Sequence, residues 1–560
     1  MKNVMKKWEV KSELKAKNEK LKTAELIDLL LTNRGIGKKE LDSFLEPKLE
    51  TVTVESVGID RKQLQKTLGR IEQALKTKEQ IVIFGDYDVD GITGTAILWE
   101  TLHDMGASVM PYIPHRVDEG YGLSLKGIAN AKEQLPDTRL IITVDNGIVA
   151  NDAVDFAKTL GIDVIITDHH VPSEKLPGAY SFVHTTKLCG AGVAWLLSQQ
   201  IKEQIAKKSY AYKDDVHLEL VALATIADLV PLTGANRVLV SFGLRKLART
   251  KREGLLALFL DAACDPKTVG VYQVGHSIAP RLNASGRLAS AMDALRLVCT
   301  KDKKRAAFLA SQLGSVNRER QLVMQHAAEH ATLSVKAKKE LKKLLVVSHE
   351  SYQEGVIGLV AGRLVEEYYR PSIVISRGEN VSKGSVRSIS GFNIIEFLRS
   401  SSEYLVNVGG HPMAAGFTIE TKKIESFQKK LEELADSIIT DETLTRSLRI
   451  DCELPLSFID QALFKNLQAL APFGMGNPEP VFATKNVVIH DLRTMGKENT
   501  HLKLLLSDGG IPIEAVAFGM GEWIKKLKKQ NKIDVAYTID MNSWNGRETL
   551  QLKIKDLKSQ

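Results

Sequence analysis

The sequence predicts an α/β fold built on a parallel sheet, followed by a second α/β lobe and a small C-terminal β-barrel. Three observations predict it. Ile81-Val82-Ile83-Phe84, Leu140-Ile141-Ile142-Thr143-Val144 and Val164-Ile165-Ile166-Thr167 are nearly continuous apolar runs, the pattern of strands buried on both faces of a parallel sheet. Helical segments such as Asn151 to Leu160 lie between them, which calls for right-handed βαβ crossovers. From Leu448 onward short β runs alternate with Gly- and Asn-marked turns, as in a small barrel.

Taken in order, residues 1–58 read as a charged helical segment broken at Glu46-Pro47. Lys62 to Thr77 is an amphipathic helix that leads into the first strand of a catalytic α/β unit, residues 59–300. Residues 301–342 form a connector, mostly one long polar-amphipathic helix from Asp302 to about Leu333. The second lobe, residues 343–445, opens on Leu344-Leu345-Val346-Val347. It continues with a helix over Glu354 to Leu364, a stop at Tyr369-Arg370-Pro371 and a strand over Ser372 to Ile375. Residues 446–560 carry the barrel runs Val487-Val488-Ile489, Leu502 to Leu506, Val535 to Ile539 and Leu550 to Ile554.

A chain of 560 residues exceeds a single core, so several units are expected. No apolar run is long enough to span a bilayer, and the basic start lacks the apolar core of a signal peptide. The four cysteines are scattered without ligand spacing and read as reduced thiols of a cytoplasmic protein. The net charge of +8 is compatible with a polyanionic partner without establishing one.

The chemistry concentrates at the strand ends. The first strand runs into Asp86-Tyr87-Asp88-Val89-Asp90-Gly91, whose three carboxylates repel one another and call for cations. The next two run into Asp145-Asn146-Gly147 and Asp168-His169-His170. In a parallel sheet all strand carboxyl ends share one edge. Asp88, Asp90, Asp145, His169 and His170 therefore converge, and Asp228, after the apolar helix Leu218 to Ile226, can close the site. A lone Asp at a strand end is usually a helix cap or a solvated loop residue, and a lone His pair is usually surface; three such ends together are harder to dismiss. Mixed Asp and His ligands suit manganese, with magnesium a weaker substitute. So many ligands fit two ions bridged by one aspartate, an arrangement that serves in-line attack on phosphoesters.

Further segments carry weaker signals. Gly384-Ser385-Val386-Arg387-Ser388 offers a hydroxyl, amides and a guanidinium for a phosphate, and Gly409-Gly410-His411 places a histidine where backbone can approach a ligand. Each is equally readable as turn chemistry. Pro280-Arg281-Leu282-Asn283-Ala284-Ser285-Gly286-Arg287 can grip a backbone phosphate, or simply cap a helix with a solvated basic face. Tyr121 can stack on a base or pack.

Asp86 to Gly91, Val144 to Gly147, Thr167 to His170 and Ile226-Ala227-Asp228-Leu229-Val230-Pro231-Leu232 occur in the order of the DHH phosphoesterase superfamily and resemble its motifs. Within it the chain looks most like the RecJ family of single-strand-specific exonucleases, from Leu30-Leu31-Thr32-Asn33-Arg34-Gly35-Ile36 to Gln551 through Asp556. Pro472 to Pro480, His501 to Leu504, Ala517-Phe518-Gly519 and Asn542 to Gly546 are similar to that family's oligonucleotide-binding (OB) barrel.

The resemblance implies a DHH catalytic domain, a connector helix, a DHH-associated domain and an OB-fold domain. It implies a manganese-dependent exonuclease that degrades single-stranded DNA 5′ to 3′ to mononucleotides in DNA repair and recombination. Asp86, Asp88, Asp90, Asp145, His169, His170 and Asp228 become the metal set, with Asp145 the bridge. Asp86 and His170 serve as ligands or substrate contacts, and Asp168 orients a neighbouring histidine. Asp145, His169, His170 and His411 form the catalytic set, and Arg281, Asn283, Arg287, Ser385, Arg387, His411 and Tyr121 contact substrate. A RecQ-type helicase, a single-strand-binding protein and a monomeric state are also implied. The stretch between His170 and Leu188 is shorter than the family's, and Val183-His184-Thr185-Thr186 departs from its usual sequence. The alternative is a phosphodiesterase of the same superfamily acting on short oligonucleotides or cyclic dinucleotides, whose cousins lack the barrel. A non-catalytic scaffold is disfavoured because every metal position is filled.

Overall fold

The computed structural model describes residues 6–12, 22–38, 40–115, 119–120, 122–206, 216–288, 290–544 and 546–559. The chain divides into two units, residues 36–318 with 468–479, and residues 1–35, 319–467 and 480–560.

The first unit holds a five-stranded parallel sheet. Its spatial order is Val109–Tyr112, Gln80–Gly85, Thr138–Val144, Asp163–Asp168 and Ser181–His184. The apolar runs are continuous because both faces are covered. Ile81, Ile83, Leu140 and Ile142 point into one core, packed with Ile92, Ala96 and Ile97 of the helix Val89–Asp104 and Val193, Ala194 and Leu197 of the helix Gly190–Gln204. Val82, Phe84, Ile141 and Ile166 point into the other, with Ile128 of Leu125–Gln134 and Val154 of Asn151–Thr159. The helix Val89–Asp104 passes so close to its neighbours that a Cβ at Gly94 would lie 2.6 Å from Val144 Cγ1 and 3.1 Å from Ala191 Cα. The helix Arg61–Thr77 is capped by Asp60, whose carboxylate accepts from the Gln63 amide. Residues 468–479 belong to this unit partly through Arg237, which donates to the carbonyls of Leu470 (2.9 Å), Ala469 (3.3 Å) and Phe44 (2.9 Å).

The connector helix is Lys303–Lys336, and the division between the units falls within it. The second unit contains two sheets. One is mixed, in the order Leu405–His411, Ala414–Glu420, Val381–Arg387, Ser372–Ser376 and Leu345–His349; only the last two strands pair in parallel. Its flanking helix begins at Ile357 and runs to Tyr368, so Glu354 to Val356 precede it.

In the other sheet Phe482–Met495, His501–Ser507, Ile513–Ala517, Arg547–Ser559 and Lys532–Trp544 pair in sequence, and the last returns to the first. That circuit is a closed five-stranded barrel, which removes its sheet edges. The strand Ser447–Glu453 extends it, and Lys7–Ser12 pairs with that strand in parallel. Residues 7–12 are therefore a strand, not part of a purely helical N-terminal segment. Trp8 Nε1 donates to Asp556 Oδ2 at 2.7 Å and ties the strand to the barrel. Among the described residues no helix is long and apolar enough to cross a membrane.

Candidate metal centre

The strands Gln80–Gly85, Thr138–Val144 and Asp163–Asp168 end at one edge of the parallel sheet, and each hands on ionisable side chains there. Asp88 caps the helix Val89–Asp104, its Oδ1 accepting from the amides of Asp90 (2.9 Å) and Gly91 (3.1 Å). Gly91 has no room for a side chain, since a Cβ there would sit 2.4 Å from the Asp86 carbonyl oxygen. Asp90 serves a second helix. Its oxygens accept from the Gly190 and Ala191 amides, both at 2.6 Å, at the start of Gly190–Gln204.

Asp145 follows its strand in the left-handed region, φ 63°. Gly190 lies directly against it; a Cβ at that glycine would be 2.6 Å from Asp145 Cβ. Asn146 stitches the adjacent strand ends, donating from Nδ2 to the carbonyls of Phe84 (3.2 Å) and Val144 (2.8 Å).

The histidines are oriented by their neighbours. Asp168 Oδ1 accepts from the His169 amide at 2.7 Å and lies 2.8 Å from His170 Nδ1, while its Oδ2 accepts from the Ile148 amide at 2.9 Å. Asp168 therefore holds a proton on His170 Nδ1. His184 Nε2, at 2.8 Å from the His170 carbonyl, steadies the same turn. His169 Nε2 stands 3.0 Å from Asp145 Oδ1 and 3.6 Å from both Asp90 Oδ2 and Asp228 Oδ2.

Three ligand triads result: Asp145, His169 and His170; Asp90, His169 and Asp228; Asp86, Asp88 and Asp145. Asp145 and His169 each belong to two of them. The fit to divalent cations rests on an orphaned atom. Asp145 Oδ1 is buried and meets no hydrogen-bond donor of acceptable geometry among the described residues, although His169 Nε2 is close by. An imidazole nitrogen and a carboxylate oxygen facing one point without bonding each other are disposed as co-ligands.

The electrostatics agree. Burial, then the charge of Asp90, pushes Asp145 far above the ordinary carboxylate range and raises Asp88. Asp228 is pushed up to about 8 by burial and then by Asp90 and Asp88. Burial lowers His169; it also opposes protonation of His170, but the bond to Asp168 outweighs it and carries His170 to about 9. A carboxylate cluster this unfavourable to its own charge is what a cation would relieve.

The segment around Asn283 sits beneath the first acidic turn. Asn283 Oδ1 accepts from the Val89 amide at 2.9 Å, and a Cβ at Gly286 would meet the Tyr87 carbonyl oxygen at 2.4 Å. Arg281 directs its guanidinium to Asp261 Oδ2 (2.8 Å), the Asp261 carbonyl (3.2 Å) and the Ser277 carbonyl (2.7 Å). Arg287 lies on the same helix, Ala279–Leu288. In the second unit, Arg387 donates to the Val386 carbonyl (2.8 Å) and Ser385 Oγ (3.4 Å). Gly358, in the first turn of Ile357–Tyr368, lies against both; a Cβ there would be 3.0 Å from Arg387 Nη2 and from Ser385 Oγ. His411 is exposed at the end of a hairpin, paired with Ala414. Tyr121 lies outside the described residues.

Sequence reasoning missed the Gly190 and Ala191 amides as the anchor of Asp90, and His184 as the support of His170. The only local signal was the small-residue run Gly190-Ala191-Gly192 after Cys189.

Comparison with known proteins places this geometry. Residues 80–225 match the DHH family, N-terminal domain, residues 341–437 the DHHA1 domain and residues 450–556 the RecJ OB domain. The single-stranded-DNA-specific exonuclease RecJ of Bacillus subtilis is 35% identical over 98% of this chain and 70% of its own length. That of Salmonella typhimurium is 31% identical over 95% of both chains. The crystal structure of RecJ in complex with Mn2+ from Thermus thermophilus superposes with a TM-score of 0.81 at 30% identity, over 95% of this chain and 76% of that one. Its Mg2+ complex gives 0.76 at 29% identity, over 95% and 74%.

Proposed function

The chain belongs to the RecJ family of single-stranded-DNA-specific exonucleases, and from that premise we propose that it hydrolyses single-stranded DNA from the 5′ end to mononucleotides with two manganese ions. The observation that carries this reading is Asp145, a buried carboxylate common to two ligand triads at the sheet edge. Asp86, Asp88, Asp90, Asp145, His169, His170 and Asp228 would hold the ions, with magnesium a weaker substitute. Two divalent cations, when bound, supply the charge neutralisation that in-line displacement at a phosphodiester needs.

The chain's own residues supply the rest. Asp88 and Asp90 are held by helix-terminal amides, so their oxygens need no rearrangement on binding. Asp168 fixes the tautomer of His170. Ser385 and Arg387, beside the start of Ile357–Tyr368, bind a phosphate oxygen by hydroxyl and guanidinium. His411 donates to the scissile phosphate. Arg287 contacts the strand's phosphates, Asn283 acts beside it, and Tyr121 stacks on a base. The barrel grips the strand over several nucleotides. We place the domains at residues 1–58, 59–300, 301–342, 343–445 and 446–560, in a cytoplasmic monomer. Its partners are a RecQ-type helicase and a single-strand-binding protein, acting in DNA repair and recombination.

The test uses one single strand labelled at its 5′ end and another at its 3′ end, each with manganese, magnesium or chelator. The 5′ label should appear at once as a mononucleotide, fastest with manganese and not at all with chelator. Early mononucleotide release from the 3′ label, or turnover in chelator, refutes the proposal.

A further inference from the structure

A cavity of about 900 Å3 opens on the first unit, lined by residues that the metal centre does not use. Six cations converge on it: Arg245, Lys246, Arg249, Lys251, Arg252 and Lys301. Three carboxylates share the lining, and two of them are already satisfied. Arg252 donates to Glu100 (2.7 and 2.8 Å) and to Glu219 (2.8 Å), and His217 lies 2.8 Å from Glu100. Among the described lining residues that leaves Glu253 beside Arg245, Arg249, Lys251 and Lys301. Arg249, Lys251 and Lys301 are exposed and meet no carboxylate at ion-pair distance among the described residues.

This concavity is separate from the metal centre. Glu100 lies ten residues beyond Asp90 on the helix Val89–Asp104, so the two ends are about 15 Å apart along the axis. The metal ligands sit at the carboxyl edge of the sheet, and the helix runs back from there toward the opposite edge.

Like charges gathered in a concavity focus their field and raise the local concentration of anions. Arg245 stacks on Phe242, 4.2 Å from the ring centroid, which fixes the plane of its guanidinium. A fixed guanidinium fork with several lysines suits phosphate oxygens. The volume is that of a small-ligand site, on the order of 300–1,000 Å3. We infer that the cavity binds a compact phosphate-rich anion, its clustered phosphates supplied by a nucleoside polyphosphate or by inorganic polyphosphate.

The test is calorimetry on the full chain in chelator, with tripolyphosphate and adenosine triphosphate titrated separately. Native protein should bind tripolyphosphate at one site. Combining Arg249→Glu, Lys251→Glu and Lys301→Glu should weaken it at least about tenfold. The melting temperature and the manganese-dependent hydrolysis of a short single strand should not change. Lys301→Glu alone, at an exposed position, should weaken binding severalfold and serves if the triple variant misfolds. Tighter binding of the nucleotide than of tripolyphosphate assigns the nucleoside to the cavity, and equal binding assigns phosphate alone; both support the site. Equal affinity of native and variant chains overturns it. Displacement of tripolyphosphate by a single strand whose own affinity falls equally in the variant also overturns it, because the surface is then one for nucleic acid.

Discussion

Gly190→Ala tests the construction of the metal centre without touching a ligand. The new Cβ would lie 2.6 Å from Asp145 Cβ, 3.0 Å from its Cα and 3.1 Å from its Cγ. Neither side yields easily, because Gly190 starts a buried helix and its amide holds Asp90, while Asp145 ends a central strand. Overpacking of this kind costs about 1–3 kcal/mol of stability. The displaced atom group is the carboxylate shared by two triads, so the loss should appear mainly in metal affinity. Disturbing the support of a ligand weakens metal binding by about 10–100-fold. Manganese titrations of single-strand hydrolysis should shift to higher concentration by that factor, with calorimetric binding of manganese weakened in parallel. Gly192→Ala is the control, since its Cβ would meet Leu188 Cβ at 3.2 Å and no ligand. A Gly190→Ala protein with native manganese dependence and native turnover would refute the placement of Asp145 against this glycine.

Asp145→Asn keeps a residue that tolerates φ 63° and removes a carboxyl whose ionised form burial and Asp90 disfavour. It should abolish hydrolysis with manganese yet raise the melting temperature in chelator; a lower melting temperature there contradicts the account of carboxylate repulsion. Asn283→Ala leaves the buried Val89 amide without its acceptor, at about 1–3 kcal/mol, and should weaken manganese activation more than DNA binding, measured by titration and anisotropy. Glu100 is pulled from 4.5 to about 2 by Arg252 and His217 against the opposing effect of burial. Its depressed folded-state pKa stabilises the fold above pH 4.5, and that contribution disappears as pH falls from 4.5 to about 2. The whole effect is at most about 3 kcal/mol. Urea unfolding across that window should be steeply pH-dependent in the native chain and flatter in Glu100→Gln. Saturating manganese at about a hundredfold over its Kd should stabilise the protein by about 2.7 kcal/mol for each ion bound relative to chelator, read as a higher urea midpoint.

The parallel sheet and its acidic edge were legible because both depend on short-range pattern. Ile81 to Phe84 has no polar face, so it must be covered on both sides, and Asp86 to Gly91 follows at once. The strand Lys7–Ser12 was not legible. Its sequence is Lys-Trp-Glu-Val-Lys-Ser, Val10 remains 40% exposed, and its pairing comes from Ser447–Glu453, more than four hundred residues away. Arg281 shows the same limit. Its neighbours in sequence suit a phosphate contact, but Asp261, twenty residues earlier, engages its guanidinium in the fold.

The acids of the centre divide by what the backbone does for them. Asp88 and Asp90 each take two amides at a helix start, where the partial positive charge of the N-terminus offsets theirs. Asp168 takes three amides and a histidine. Among the described residues Asp145 Oδ1 and Asp228 receive no comparable help: one is orphaned, and the other is pushed up to about 8. The fold thus fixes one set of carboxylates by its own dipoles and leaves the other set uncompensated at the point between them. Fixed ligands give geometry, and uncompensated ones give affinity for cations. A centre with every acid capped would be rigid but weakly attractive to metal, and one with none capped would strain the sheet edge that positions it. Asp145, turned by its left-handed backbone toward His169, is where the two requirements meet.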